Sequence, residues 1–502
     1  MVNTMLLTIE NIAAFTNAHI LDSSCDVTKE ACGITWDSRE VQPGSVYVAL
    51  PGQRVDGHSF IESACKAGAS AVLIMQDVSE TVLSCARECG TALLRVESTQ
   101  DAFTDLARGY RSLLQGCVIG ITGSTGKTTT KNLVRDVLSA KFSCVATKAN
   151  QNNELGVPRT LLNADPDTEM IVVEIGMRGL GQIERLCEFV KPDWGLITNV
   201  GESHIELLGN RENIARAKAE LICALPEKTG IAFLNAANDM SDFVWAQVEA
   251  KSSDITKVLF DGTGNAEDLE SPAVWAEDVS LDGDGYPSFT LCAKGFDSIH
   301  YDSDASSQNC NQSRIERIAC TLSLRGIHNI SNACSAAAVG CAAGMTLEEI
   351  ATALKASKPE SGRQEILHSE QGFTVINDAY NANPDSMRAS LSLLNAMDVP
   401  GRRIAVLGDM GELGSYAQAA HESVGMSAAH GNIDFLVCVG DLARSIGSAA
   451  QSEGFPSDCL CMVNTRAEAL EFLQDYIAPG DAVLVKASHF MELDVLAKGL
   501  LD

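Results

Sequence analysis

The sequence predicts an α/β protein of three domains, the central one built on a mostly parallel sheet behind a phosphate-type glycine loop. Three observations carry that expectation. The 502 residues are too many for a single hydrophobic core. Continuous apolar runs of strand length, the kind that fill parallel sheets covered on both faces, alternate with segments of helical spacing. One such run, "CVIGIT" (117–122), passes directly into "GSTGKTTT" (123–130) and then into a helical pattern.

The first block, residues 1–112, alternates short apolar runs (Val46–Leu50, Ala71–Met75, Ala92–Val96) with helix-like stretches such as Phe60–Ala67. The second, 113–358, contains the glycine loop, and behind it Leu133, Val134, Val137 and Leu138 share one helical face. Its further buried strands are expected at "MIVVEI" (170–175), "WGLIT" (194–198) and "IAFLN" (231–235). Residues 251–320 are richer in Asp, Gly and Ser and show no helical period, so they read as an antiparallel flap or insertion. "ALKASKPESGR" (353–363), with its Pro and Gly, is the linker. The third block, 359–502, alternates "FTVIN" (373–377), "RIAVLG" (403–408), "DFLVCVG" (434–440) and "DAVLVKAS" (481–488) with helical segments. That order predicts a doubly wound, Rossmann-like sheet.

Composition excludes several classes. The balance of 37 basic against 66 acidic side chains gives a net charge of −29, which disfavours nucleic acid and anionic membranes as partners. The most apolar run, "ACSAAAVGCAAGM" (333–345), is short and made of small residues, so it reads as a buried helix and membrane insertion is not expected. The N-terminus lacks a basic n-region and an unbroken apolar h-region, which argues against secretion. The 17 cysteines are scattered with no C-x-x-C pair, as core thiols of a cytoplasmic protein are. The Asn311-Gln312-Ser313 triplet fits a glycosylation acceptor, a reading without meaning at that address. A monomer is expected.

The loop is the first candidate site. Only Ser124 and Thr125 separate Gly123 from Gly126, whereas the usual phosphate loop places four residues there. Gly123 and Gly126 still let backbone N–H groups close on phosphate oxygens. Lys127 brings one charge to the outer phosphates, the Thr128 hydroxyl suits Mg²⁺, and Thr129 continues the turn. Glu174 ends a run otherwise built for burial, and His204 follows another in "LITNVGESH". The carboxyl ends of parallel strands are where open α/β sheets hold ligands. Taken singly, Glu174 reads equally as half of an ion pair and His204 as a satisfied loop histidine. Lys218, in "ARAKAELI" (215–222), reads from the residues alone first as a solvated helix lysine.

"GSTGKTT", "EIGM", "TNVGESHIE", "ARAKAEL", "GIHNISN", Gly362-Arg363, "DAYNANPDS" and "GDMGELG" follow one another in that order. The series resembles the Mur ligases, the ATP-dependent amide-forming enzymes of cell-wall precursor synthesis, in which the shortened loop is the usual form. "TWDSREVQPGSVYVALPGQRVDGHSFIESACKAGASAVL" (35–73) resembles the uridine-nucleotide domain shared by two late members. "YNANP" (380–384) and "KANQNNELGVPRTLL" (148–162) are similar to the last of these, which adds D-alanyl-D-alanine to UDP-N-acetylmuramoyl-tripeptide. The rival within the family is the preceding ligase, which adds the third amino acid to the dipeptide; its Arg-containing motif is absent from the third block.

The resemblance implies ATP, two Mg²⁺ ions and an acyl-phosphate intermediate. It implies Thr128 and Glu174 as ligands of one Mg²⁺, His204 of the other, and a carbamate on Lys218 beside it. Asn329 and Asn332, with His328, match an adenine-side motif, although Asn is also a common helix N-cap. Arg363 and Asp378 match contacts to the ATP phosphates and ribose. Ser38 and Arg39, with Asp37, are implied at the uridine nucleotide, although Arg39 equally suits a surface ion pair. Asn152 and Asn153 are implied at ATP or the peptide, or simply shape a turn. Lys486-Ala487-Ser488-His489 departs from the family's Lys-Gly-Ser-Arg run, and losing the guanidinium leaves the role of that segment open.

Overall fold

The computed structural model describes residues 7–22, 25–52, 55–251, 254–266, 269–297 and 314–501; Asn311–Ser313 lies outside the described residues. Three main sheets follow one another along the chain. The first has five strands in the order His19–Ile20, Ala92–Arg95, Ala71–Ile74, Val46–Val48, Ile34–Thr35, parallel except for the first pair. The helix expected at Phe60–Ala67 is a 3₁₀ turn, Gly57–Phe60, running into an α-helix, Ile61–Lys66.

The central sheet has nine strands. Cys117–Thr122 lies between Met170–Glu174 and Trp194–Ile197, all parallel and buried throughout, as continuous apolar runs require. Its two neighbours lie on opposite sides, so a crevice opens at their carboxyl ends. The described residues of 251–320 hold the expected antiparallel pairing, but as part of the central sheet rather than as a separate flap or insertion. Thr256–Asp261 and Ala273–Leu281 continue the parallel part, and Pro287–Lys294 and Ile315–Thr321 extend the same sheet with antiparallel strands, the last of them at its edge. The missing helical period was a strand period: Phe289, Leu291 and Ala293 are buried alternately along one face. The turn of that hairpin touches the third unit, where Asp398 N donates to Gly283 O at 2.7 Å.

The small-residue run falls in the helix His328–Ala342, buried on almost every side and packed on the helix Lys127–Ser139. The third sheet has six strands in the order Glu365–His368, Thr374–Asn377, Ala482–Lys486, Arg403–Gly408, Phe435–Val439, Leu460–Val463, the first pair antiparallel and the rest parallel. Between the central and third sheets the helix Leu347–Ala356 runs into the expected linker before the chain turns irregular. Among the described residues no helix is long and apolar enough to cross a membrane.

Candidate functional site

The shortened loop is braced from the next strand. Asn199, just past Trp194–Ile197, accepts from Thr125 N through Oδ1 at 3.0 Å and donates from Nδ2 to Thr125 Oγ1 at 2.7 Å. Ser124 N donates to Asn199 O at 3.0 Å, and Thr198 Oγ1 to Thr125 O at 2.6 Å. Gly126 has φ +75, and a Cβ there would come 2.6 Å from Asn332 Oδ1, so only glycine fits without strain. Helix Lys127–Ser139 then starts with its free N–H groups facing the loop, the arrangement that receives phosphate. Lys127 Nζ reaches back to Gly123 O at 2.8 Å; burial pushes its amine down, against the charge of Glu174.

The loop opens on a cavity of about 1860 Å³ between the central and third sheets, reached also by the helix Thr99–Arg111 of the first unit. Glu174 lies in its wall, 1% exposed. Its Oε1 accepts from Thr128 Oγ1 at 3.2 Å and Asn152 Nδ2 at 2.8 Å, while Oε2 is buried with no partner among the described residues. An orphaned carboxylate oxygen beside a hydroxyl and a phosphate-type loop suits a hard cation that also takes phosphate oxygens. No three His, Cys, Asp or Glu side chains form a cage among the described residues, so most ligands would come from elsewhere. Lys218 is also 1% exposed and faces this cavity; burial pushes its amine well below the usual lysine range, and Lys127 adds to the effect. The solvated-lysine reading is overturned.

His204 Nδ1 lies 2.6 Å from Glu412 Oε2 of the third unit, a bent contact rather than an aligned hydrogen bond. The His204 ring beside it holds the Glu412 carboxyl below the usual range. Arg363 Nη2 donates to Thr128 Oγ1 at 2.9 Å, and its guanidinium stacks on Tyr380 with Cζ 4.3 Å from the ring centre. Asp378 is nearly buried: Oδ2 accepts from Lys486 Nζ at 2.6 Å and Ser390 Oγ at 2.5 Å, and Oδ1 from Gln364 N at 3.2 Å.

Asn329 and Asn332 lie inside their helix, whose cap is Ile327, so the capping reading is not what they do. Asn332 Nδ2 donates to Asn329 Oδ1 at 2.9 Å, and Thr130 Oγ1 to Asn332 Oδ1 at 3.2 Å. His328 is half-buried against Gln364, its Nε2 3.1 Å from Gln364 Nε2.

The cavity gathers every loop residue with Glu174, His204, Lys218, Asn152, Asn153, Asn329, Asn332, Arg363 and Asp378. Asn153 Oδ1 also accepts from Leu155 N at 3.2 Å and Gly156 N at 2.9 Å in the turn that leads into the helix Gly156–Leu162, the turn-shaping role. Ser38 and Arg39 do not line this cavity; Arg39 is 87% exposed and pairs with Asp37 at 2.6 Å. Four residues not singled out by sequence belong to the site or its frame: Asn199, Tyr380, Glu412 and His489, which meets Tyr380 edge-on at 5.8 Å. All four stand inside or beside stretches already noted, and only His489 lies in the atypical run.

Comparison with known proteins agrees with this geometry. The chain matches the Mur ligase family catalytic domain over residues 30–111, the Mur ligase middle domain over 121–340 and the Mur ligase glutamate ligase domain over 362–489. It is 32% identical over 495 residues to the UDP-N-acetylmuramoyl-tripeptide–D-alanyl-D-alanine ligase of Bacillus subtilis, covering 99% of this chain and 98% of that protein. A crystal structure of MurF from Acinetobacter baumannii superposes with a TM-score of 0.81 at 26% identity, with both chains covered in full. The MurF ligase of Thermotoga maritima, solved in complex with ADP, gives 0.70 at 27% identity over 93% of this chain and 97% of its own. The chain belongs to the Mur ligase family.

Proposed function

We propose that this chain is the ATP-dependent ligase that joins D-alanyl-D-alanine to the terminal carboxyl of UDP-N-acetylmuramoyl-tripeptide. The observation that carries the proposal is one cavity in which a phosphate-type loop, a buried carboxylate and a buried lysine amine from the central sheet meet Arg363, Asp378 and Tyr380 from the third. The relatives' printed activity supplies the substrates. In the reaction the substrate carboxylate takes the outer phosphate of ATP, releasing ADP. The dipeptide amine then forms the C–N bond, loses a proton, and the acyl phosphate's C–O bond breaks to release phosphate.

The chain's residues divide that work. Lys127 and the loop N–H groups bind the outer phosphates, and Arg363 reaches them from the opposite wall. Asp378 suits the ribose, Asn329 and Asn332 the adenine side, and Asn152 and Asn153 the ATP or peptide. Thr128 and Glu174 would hold one Mg²⁺, His204 and a carbamylated Lys218 the other; bound Mg²⁺ neutralises charge on phosphate and oxyanion. A buried, uncharged Lys218 amine is the form that adds CO₂ with loss of a proton, turning a cation that repels metal into an anionic oxygen ligand. Ser38 and the exposed Arg39 are offered to the uridine nucleotide, Arg39 exchanging Asp37 for a diphosphate.

The chain divides on this reading at 1–112, 113–358 and 359–502, one main sheet to each part, for UDP-sugar-peptide, ATP and closure respectively. The described cysteines are all free thiols, which suits the cytoplasm. Phosphate release measured with ATP, UDP-N-acetylmuramoyl-tripeptide and D-alanyl-D-alanine, and then with each omitted, tests the assignment. Full release only with all three is expected. Release with the dipeptide precursor plus a free third amino acid instead would transfer the chain to the preceding step.

A further inference from the structure

We infer that Glu412, carried by the third unit, is the positioning residue that sets the ring of His204, and thereby ties the metal side of the cavity to the seating of that unit. The inference rests on the reading of His204 as a Mg²⁺ ligand. Glu412 Oε2 stands 2.6 Å from His204 Nδ1. Even a bent approach that short requires one of the two atoms to carry a proton, because two lone pairs would repel. An ionised carboxylate only accepts, so the proton sits on Nδ1. Nε2 is then the ring nitrogen with a lone pair to offer a cation. Carboxylates orient metal-binding imidazoles in this way.

The approach is built by the surrounding chain. Glu412 Oε1 lies 3.5 Å from Arg178 Nε, so the carboxylate is held between a ring and a guanidinium. Glu412 O accepts from Glu206 N at 3.4 Å, and the Tyr416 hydroxyl donates to Gly209 O at 3.2 Å. Residues 412–416 thus lie along the short helix Ile205–Leu208, which His204 precedes. His204 and Glu412 both hold left-handed backbone, φ 65 and φ 60, a conformation that non-glycine residues keep only where their surroundings impose it. One residue earlier, Asn383 Nδ2 of the third unit donates to Ser203 Oγ at 2.7 Å, and Ser203 Oγ donates to Ser124 O of the loop at 3.1 Å. The third unit therefore grips two consecutive residues, one leading to the phosphate loop and the other to the metal side. A purely structural pair this open to solvent, with side chains 23% and 41% exposed, would add little to stability.

The test is Mn²⁺ alone, titrated into the full chain and followed by electron paramagnetic resonance, for the unsubstituted protein, Glu412→Gln, His204→Ala and the double variant. Glu412→Gln is expected to weaken Mn²⁺ binding by about tenfold to a hundredfold with an unchanged unfolding midpoint. His204→Ala is expected to weaken it at least as much, and the double variant no further, because Glu412 acts through the ring. In turnover, Glu412→Gln should need more Mg²⁺ for half-maximal rate while KM for D-alanyl-D-alanine stays put. If Glu412→Gln binds Mn²⁺ within twofold of the unsubstituted protein while His204→Ala does not, the inference is wrong and the ligand reading survives. If His204→Ala binds normally, the ligand reading fails and takes the inference with it. Additive losses in the double variant would overturn the route through His204. Should Glu412→Gln not fold, Glu412→Asp, which keeps the charge and withdraws it by one methylene, is judged by the same criteria.

Discussion

Arg363 Nη2 donates to Thr128 Oγ1 at 2.9 Å, so a guanidinium at the entrance of the third unit rests on the first turn of the helix behind the glycine loop. The two residues are 235 positions apart in sequence. Stacking on Tyr380 holds the plane of the guanidinium where it meets the glycine-loop helix. Arg363→Lys keeps the charge and loses both the fork and the stack. Its ligation rate is expected to fall by about 10²-fold with little change in unfolding midpoint. Steady-state phosphate release measures this, and a rate within about threefold of the parent would remove Arg363 from the phosphate side.

Lys127→Ala should abolish ligation and leave the fold intact. The amine donates to Gly123 O at the mouth of the loop, not to the core. Circular dichroism and phosphate release on the same preparation separate the two effects; near-normal turnover would sink the loop assignment.

Lys218→Ala should lose most activity, and small carboxylic acids at high concentration should restore part of it by filling the vacated space with an anion. A solvated surface lysine predicts neither result, because such substitutions usually cost under about 0.5 kcal/mol. A dead variant that ignores added carboxylate would end the carbamate role while sparing the rest of the ligase reading.

His328 supplies a pH dependence of stability. Its ring is pushed down to about 4, chiefly by burial, with Asp378 opposing. The unfolded chain, with an ordinary histidine near 6.5, therefore holds a proton that the folded chain refuses between those values. Stability should rise with pH across that window and level off above it. The ring is only half-buried, so cavity water screens the effect and about 1–2 kcal/mol is expected. Denaturant titrations at several pH values, with His328→Gln as the control, check it: the variant should lose that part of the slope.

Much of the site could be read before the structure because local sequence encodes it. A glycine loop between an apolar run and a helical pattern is visible at once, and Glu174 stands out as a charge at the end of a buried strand. Lys218 could not be told from a surface lysine, because its helix is moderately amphipathic and only tertiary packing sets its exposure at 1%. Glu412 and Asn199 were passed over for a related reason: each acts on a segment distant in sequence, and no period records such a pairing. Between residues 256 and 321 the antiparallel pairing was legible but its place in the central sheet was not, because strands that alternate polar and buried positions resemble an irregular insertion when the turn residues between them are Asp and Gly.

The hairpin turn between Ala273–Leu281 and Pro287–Lys294 has a consequence of a different kind. Its Gly283 carbonyl meets Asp398 N, just past the helix Pro384–Ala396, and Gly283 itself lies against the Asp398 carboxylate. A surface turn is ordinarily free to gain or lose residues at little cost. Neither Gly283 nor Asp398 lines the cavity, although Tyr286 at the end of the same turn does, so inserting one or two residues beside Gly283 is expected to push back the wall that carries Arg363 and Asp378 from a point outside the cavity.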